Sequence, residues 1–207
     1  MTLATRTVGR PEPDEIPSHY VGYIKRVPEL DPVMVCAAQI EDTATMLRGL
    51  SDTDAMYRYS RGKWSIKEVV GHLADVERIM AYRALRIARG DTTPLPGFDE
   101  NAYVPVARFD SRSLADLMGE LRTARAATLA LLRSFDADAW RRRGTASDKP
   151  VSVRAVAFMI PGHERHHVEI LRTRYGVGGV GGGGGGGSGG SGSGGGGGEG
   201  GEGGGVA

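Results

Sequence analysis

Three histidines carry the chemistry that this sequence of 207 residues offers most clearly. His163 and His167 continue an apolar stripe that includes Val156 and Ile160, so both fall on the face that a helical bundle buries. Four residues apart on a helix, they lie within about 40° of each other and about 6 Å apart along the axis. Two imidazoles placed in this way can chelate a single divalent ion.

His72 is the third candidate ligand and belongs to a different predicted helix. It lies at the edge of that helix's buried stripe, near Val76, and the facing helices of a bundle are where metal sites are assembled. Three imidazole nitrogens suit zinc, nickel, iron or copper and leave positions open for water or substrate, as in catalytic sites. A second interpretation stays open, because a histidine on an apolar face is more often a hydrogen-bonded core residue.

A competing motif occupies the same residues. The segment from His163 to His167 matches the H-E-x-x-H pattern of zinc proteases, in which Glu164 would be the general base. Those proteases need a third ligand downstream, where this chain offers only Glu169 before a glycine-rich segment. The protease interpretation is therefore a remote alternative.

Four long amphipathic segments must position these histidines. The second has the clearest start, because Ser65 and Glu68 have the spacing of a capping box, and Gly90 is a plausible end. The segments cover about 32–50, 65–90, 111–135 and 152–176, and they predict an all-α four-helix bundle. The long connection at 90–111 can cross the length of the bundle, which favours an up-down-down-up topology.

The start of the fourth helix leaves two questions open. Residues 151–160 are rich in β-branched side chains, so a strand is an alternative there. Pro161 either kinks a helix that is already under way, which would open room beside His163, or marks the start of that helix.

The two ends of the chain differ from its middle. Residues 1–30 are rich in proline and charge and predict an extended N-terminal arm, and residues 31–175 form the bundle domain. Residues 176–207 are almost entirely glycine, which predicts a disordered tail because such a segment has no side chains to bury.

Composition narrows the class of protein. The 26 basic and 25 acidic residues give no basic face for nucleic acid, and the single cysteine permits neither an internal disulfide nor a cysteine zinc cluster. No apolar run is long enough to span a membrane, and residues 1–20 lack a signal-peptide pattern. We therefore expect a cytoplasmic protein that acts on a small molecule.

Two segments resemble the signature stretches of the DinB-like superfamily, and within it of a YfiT-like group of metal-dependent hydrolases. They are WSIKEVVGHLADVE at 64–77 and GHERHHVEI at 162–170. The resemblance covers about residues 30–175. It implies a four-helix bundle of up-down-down-up topology, often dimeric, with a zinc- or nickel-type ion held by His72, His163 and His167. The family includes S-transferases and isomerases that use thiols such as bacillithiol, mycothiol or glutathione.

Our leading hypothesis is a metal-dependent hydrolase or a transferase for a low-molecular-weight thiol, in which the ion activates water or the thiol. The alternative is a metal-binding, stress-associated protein without turnover. Asp75, Glu164 and Tyr103 are candidates to orient the ligands or to contact substrate.

Overall fold

Helices dominate the computed structural model, which describes residues 8–178. Their bounds, in chain order, are α1 Val21–Lys25, α2 Pro32–Leu47, α3 Ile66–Ala88, α4 Glu100–Ala107, α5 Leu114–Arg133, α6 Ala137–Arg141 and α7 Val153–Thr173. A hairpin of β1 Arg143–Ala146 and β2 Lys149–Ser152 precedes α7. The long helices α2, α3, α5 and α7 pack together, which confirms the predicted four-helix bundle.

Local sequence signals start the helices where they were predicted to start. The Ser65 side chain accepts a hydrogen bond from the amide of Glu68 at 3.0 Å, and the Glu68 carboxylate accepts one from the amide of Ser65 at 2.8 Å. This reciprocal pair is the predicted capping box of α3. Ser152 caps α7 in a related way, by accepting from the amide of Ala155 at 3.1 Å.

The contacts at the helix ends define the topology. The helices α3 and α5 are parallel, because Ser65 before α3 bonds Asp110 before α5 at 2.5 Å, while Arg89 stacks over Phe135 at their far ends. The connection between them, which contains α4, therefore crosses the length of the bundle.

The other two long helices run the opposite way. The hydroxyl of Tyr175, just after α7, donates to the carbonyl of Trp64, just before α3, at 2.7 Å, so these two helices are antiparallel. The Arg125 side chain donates to the carbonyl of Cys36 near the start of α2, whereas Leu114 at the start of α5 donates to Asp52 beyond the end of α2. The order is therefore up-down-down-up, as predicted.

Both questions about the fourth helix have an answer. Strand pairing ends at Ser152 and α7 begins at Val153, so the strand alternative is wrong for residues 153–160. Pro161 lies inside α7, so the alternative in which the helix starts at Pro161 is wrong as well. The stretch is apolar on all sides because it is buried on all sides: residues 155–163 are all buried.

The segment before α2 has more structure than the predicted extended arm. Within residues 8–30 it forms two 3-10 turns, at Pro13–Glu15 and Ser18–Tyr20, and then α1, which packs on α7. A Cβ at Gly162 would lie 2.2 Å from the Tyr23 carbonyl oxygen, so only glycine allows this approach. Residues 1–7 of the predicted arm, and residues 179–207 of the predicted tail, lie outside the described residues.

Candidate metal centre

The structure brings the three predicted ligands together. The Nε2 atom of His163 lies 3.1 Å from Nε2 of His72 and 3.1 Å from Nε2 of His167. One ligand nitrogen from each of the three residues falls within 4.8 Å of the other two. His72 comes from α3, and the other two come from successive turns of the antiparallel α7.

The close packing of α3 and its neighbours fixes His72. The capping box sets the start of this helix, so the position of His72 along the axis follows from Ser65. The preceding residue, Gly71, packs against the ring of Phe109, where an added Cβ would meet ring atoms at 2.3 Å. We infer that Gly71 lets the turn before α5 lie against the helix next to the ligand.

Burial keeps the imidazoles neutral. His72 and His163 are each 5% exposed, and His167 is partly buried. Burial, together with His166, lowers the pKa of His72 to about 4. Burial and the neighbouring imidazoles also hold the pKa values of His163 and His167 well below the usual range. All three rings are therefore uncharged at neutral pH, which is the form that binds a metal.

The donor set fits a divalent ion. Zinc binds imidazole nitrogen at about 2.0–2.1 Å, so two such nitrogens in a tetrahedral site are about 3.3 Å apart. The two observed separations of 3.1 Å come close to that value. A neutral imidazole has one N–H donor and one nitrogen with a free lone pair. Where the three Nε2 atoms carry the lone pairs, one cation placed between them can accept all three.

Two aromatic side chains hold the ligand rings in place. The Trp64 ring lies 4.8 Å from that of His72 and stacks on that of His167 at 6.4 Å. The Tyr23 ring meets His163 edge-on at 5.4 Å. We did not predict either contact: the sequence places Trp64 beside the capping box without showing its direction, and Tyr23 lies far away in the N-terminal segment.

A cleft opens on the His167 side of the cluster. Its volume is about 190 Å³, and its walls combine aromatic and polar side chains, among them Tyr59, Lys63, Trp64, Asn101 and Tyr175. No carboxylate lines it, and within residues 8–178 none forms an ion pair with Lys63. Of the three histidines, His167 lines this cleft.

Two of the other predicted residues contact side chains other than the three histidines. Asp75 is partly buried and pairs with Arg78 at 3.7 Å, and burial raises its pKa. Tyr103 is 47% exposed and packs against Phe98, with ring centroids 5.7 Å apart. Neither residue lines the cleft. Asp75 lies on the predicted helix, whereas Tyr103, predicted in a long connection, lies in the short helix α4.

Glu164 is buried in the core rather than directed at the ligands. Arg125 donates to Glu77 through two nitrogens, at 2.8 and 2.9 Å, and to Glu164 at 2.9 Å. The Glu164 carboxylate also accepts hydrogen bonds from the Thr43 hydroxyl at 2.5 Å and from the Gln39 side-chain amide at 2.7 Å. We call Glu77, Arg125 and Glu164 the ionic cluster. With both oxygens bonded in this way, Glu164 is not placed as the general base of an H-E-x-x-H protease.

The sequence held a signal for this cluster that we did not use. Arg125 interrupts the buried stripe of α5, four residues after Leu121 and three before Thr128. A charged residue at such a position needs a buried partner of opposite charge. Burial alone would lower the pKa of Arg125, but the carboxylates of Glu77 and Glu164 raise it well above its usual value.

None of the helices between residues 8 and 178 combines the length and the apolar character needed to cross a membrane.

Comparisons with known proteins agree with the architecture. The family model described as DinB superfamily matches residues 37–171. YfiT from Bacillus subtilis, described as "a probable metal-dependent hydrolase with an unusual four-helix bundle topology", superposes with a TM-score of 0.57 at 19% identity, over 79% of this chain and 93% of that chain.

A second solved structure is a mycothiol-dependent maleylpyruvate isomerase. It superposes with a TM-score of 0.58 at 15% identity, over 74% of this chain and 63% of that chain. At these identities both likenesses show the fold alone. No curated protein matches the chain.

Proposed function

The chain belongs to the DinB superfamily, and we propose that it is a metal-dependent enzyme that activates water or a low-molecular-weight thiol at His72, His163 and His167. One observation carries the proposal: the three Nε2 atoms converge at a point beside a cleft that is open to small molecules. Zinc or nickel suits this all-nitrogen set best. A bound divalent ion supplies Lewis-acid chemistry, lowering the pKa of a coordinated water or thiol and polarising the electrophile.

The side chains around the ligands have separable tasks. Burial keeps His72 and His163 neutral, so their lone pairs are available to the ion. Trp64 and Tyr23 limit rotation of the imidazole rings by packing against them. Tyr59 and Tyr175, whose ring centroids are 4.9 Å apart, form an apolar wall that excludes water from one side of a bound substrate.

Two reaction classes fit this site, hydrolysis and thiol transfer. Among proteins of similar fold, one is described as "a probable metal-dependent hydrolase" and one as a mycothiol-dependent maleylpyruvate isomerase, which supports considering both classes. We further expect a cytoplasmic homodimer with a small-molecule substrate. The second candidate function is metal binding without turnover, and the cleft beside His167 favours the enzyme.

Turnover separates the two candidates. We expect the zinc- or nickel-loaded protein to hydrolyse activated esters or amides, or to transfer a thiol such as glutathione or mycothiol to an electrophile. The activity should disappear with chelator and return when the metal is restored. A metal-loaded protein with no chelator-sensitive turnover in either assay would favour the binding function.

The charge of the cleft predicts a preference for anionic substrates. Three neutral imidazoles leave the full charge of a divalent ion in place, Lys63 adds a further positive charge, and no carboxylate lines the walls. We therefore expect mercaptoacetate to bind the cobalt-substituted protein more tightly than uncharged 2-mercaptoethanol does, as measured by the visible absorption of the ion.

Replacing Lys63 tests this preference. In Lys63→Gln, the affinity for mercaptoacetate should fall by about two- to fivefold, the range of an exposed charge pair, while that for 2-mercaptoethanol stays the same. The matched control is Lys25→Gln, which changes the net charge equally on α1 without touching the cleft. Equal losses for both thiols, or equal losses in both variants, would contradict a direct role for Lys63.

A further inference from the structure

The ionic cluster of Glu77, Arg125 and Glu164 holds more negative than positive charge. Two carboxylates share one guanidinium, and all three side chains are 2% exposed. Gln39 and Thr43, which complete the hydrogen bonds of Glu164, are uncharged. The cluster therefore places one excess negative charge where solvent does not screen it, and such a charge is costly unless a cation lies close by.

No side chain supplies that cation within residues 8–178. The guanidinium of Arg165, the residue after Glu164, donates to Gln39 at 2.8 Å and pairs with Glu29 at 2.8 Å. Gln39 therefore lies between Arg165 and Glu164, and the charge of Arg165 is balanced by Glu29 at the surface. Within residues 8–178, Arg125 is the only cationic side chain that forms an ion pair with the cluster, and Arg165 attracts Glu164 without contacting it.

The ionic cluster lies next to His163 of the candidate metal site. His163 and all three charged residues line one void of about 10 Å³, and the rest of its lining is apolar, including Leu73 and Ile160. Glu164 also follows His163 directly in α7. An apolar, closed space between two charges transmits their attraction with little screening.

We propose that the excess negative charge of the ionic cluster is balanced by the cation at His72, His163 and His167, so that Glu164 tunes metal affinity. This inference rests on the proposed metal site. Glu164, the glutamate of the H-E-x-x-H pattern, would then attract the metal ion electrostatically without touching the substrate. Glu164 then acts on metal affinity through its charge alone. In the metal-free protein, the unbalanced negative charge destabilises the bundle.

The variant Glu164→Gln isolates this charge. The amide oxygen still accepts from Arg125 and Gln39, and the Thr43 hydroxyl, which donates to Glu164 in the wild type, can turn to accept from the new amide group. The remaining Glu77–Arg125 pair is neutral. We expect zinc affinity, measured by competition with a chromophoric chelator, to fall at least tenfold, roughly the factor that 1.4 kcal/mol represents. The urea midpoint of the metal-free protein should stay the same or rise.

A structural role would give the opposite pair of results. If Glu164→Gln binds zinc as tightly as the wild type, the proposal is wrong. It is also wrong if the variant fails to fold or lowers the urea midpoint of the metal-free protein. The control is Glu41→Gln, which removes an exposed carboxylate paired with Arg122 and should leave zinc affinity within about twofold. A wild-type protein that binds neither zinc nor nickel would overturn the metal site itself and this inference with it, a result distinct from failure of the variant alone.

Discussion

Replacing His163 with alanine should abolish stoichiometric metal binding. We expect about one zinc or nickel ion per wild-type chain and essentially none in His163→Ala. The Nε2 atom of His163 lies 3.1 Å from Nε2 of His72 and 3.1 Å from Nε2 of His167. Residues that merely orient a ligand typically change metal affinity by about 10–100-fold, so loss of the central ligand should exceed that range.

The neighbouring histidine provides the control. His166 is on the same helix, is partly buried, and packs against Tyr23 at 5.4 Å, but it is not one of the three converging residues. His166→Ala should therefore keep its metal. Elemental analysis of the purified proteins and titration with a chromophoric chelator give the two readouts. Equal metal content in His163→Ala and wild type, or no metal in either, would show that the cluster is a set of packed core histidines.

Helical periodicity placed two of the three clustered histidines on neighbouring turns of one helix face. His163 is buried and His167 partly buried on α7, and an interval of four residues fixes their relative position with no reference to the rest of the fold. His72 was harder to predict, since it lies at the edge of its stripe and depends on which helix faces α7. The family resemblance supplied what local pattern could not, because inter-helix contacts are a property of the whole chain.

The parts of the site that escaped prediction depend on contacts distant in sequence. Tyr23 reaches His163 because Gly162 lets α1 approach α7, and a five-residue helix leaves no periodicity to detect. Asp75 was assigned to the correct helix, and its side chain pairs with Arg78, a contact that we did not predict. Sequence spacing therefore gives the face of a helix, and packing decides what that face meets.

The largest loss of stability should follow removal of the only cation of the ionic cluster. In Arg125→Met, two carboxylates that are each 2% exposed would lose the guanidinium that both contact. Breaking a buried pair by deleting one partner costs about 3–5 kcal/mol. We expect a loss of that size in the free energy of unfolding of the metal-free protein, measured by urea denaturation.

Two comparisons identify charge as the cause. The triple variant Arg125→Met, Glu77→Gln and Glu164→Gln removes all the charges of the cluster and should recover most of the loss, since an uncharged replacement of similar volume is often neutral or better. Arg122→Met breaks the pair between Arg122 and Glu41, whose side chains are 46% and 64% exposed, so it should cost no more than about 1 kcal/mol.

If Arg125→Met were as mild as Arg122→Met, the carboxylates would have found another partner or taken up a proton. If the triple variant were no better than the single one, the role of Arg125 would lie in packing its side chain and in its bond to the Cys36 carbonyl, because those are the contacts that the triple variant also lacks.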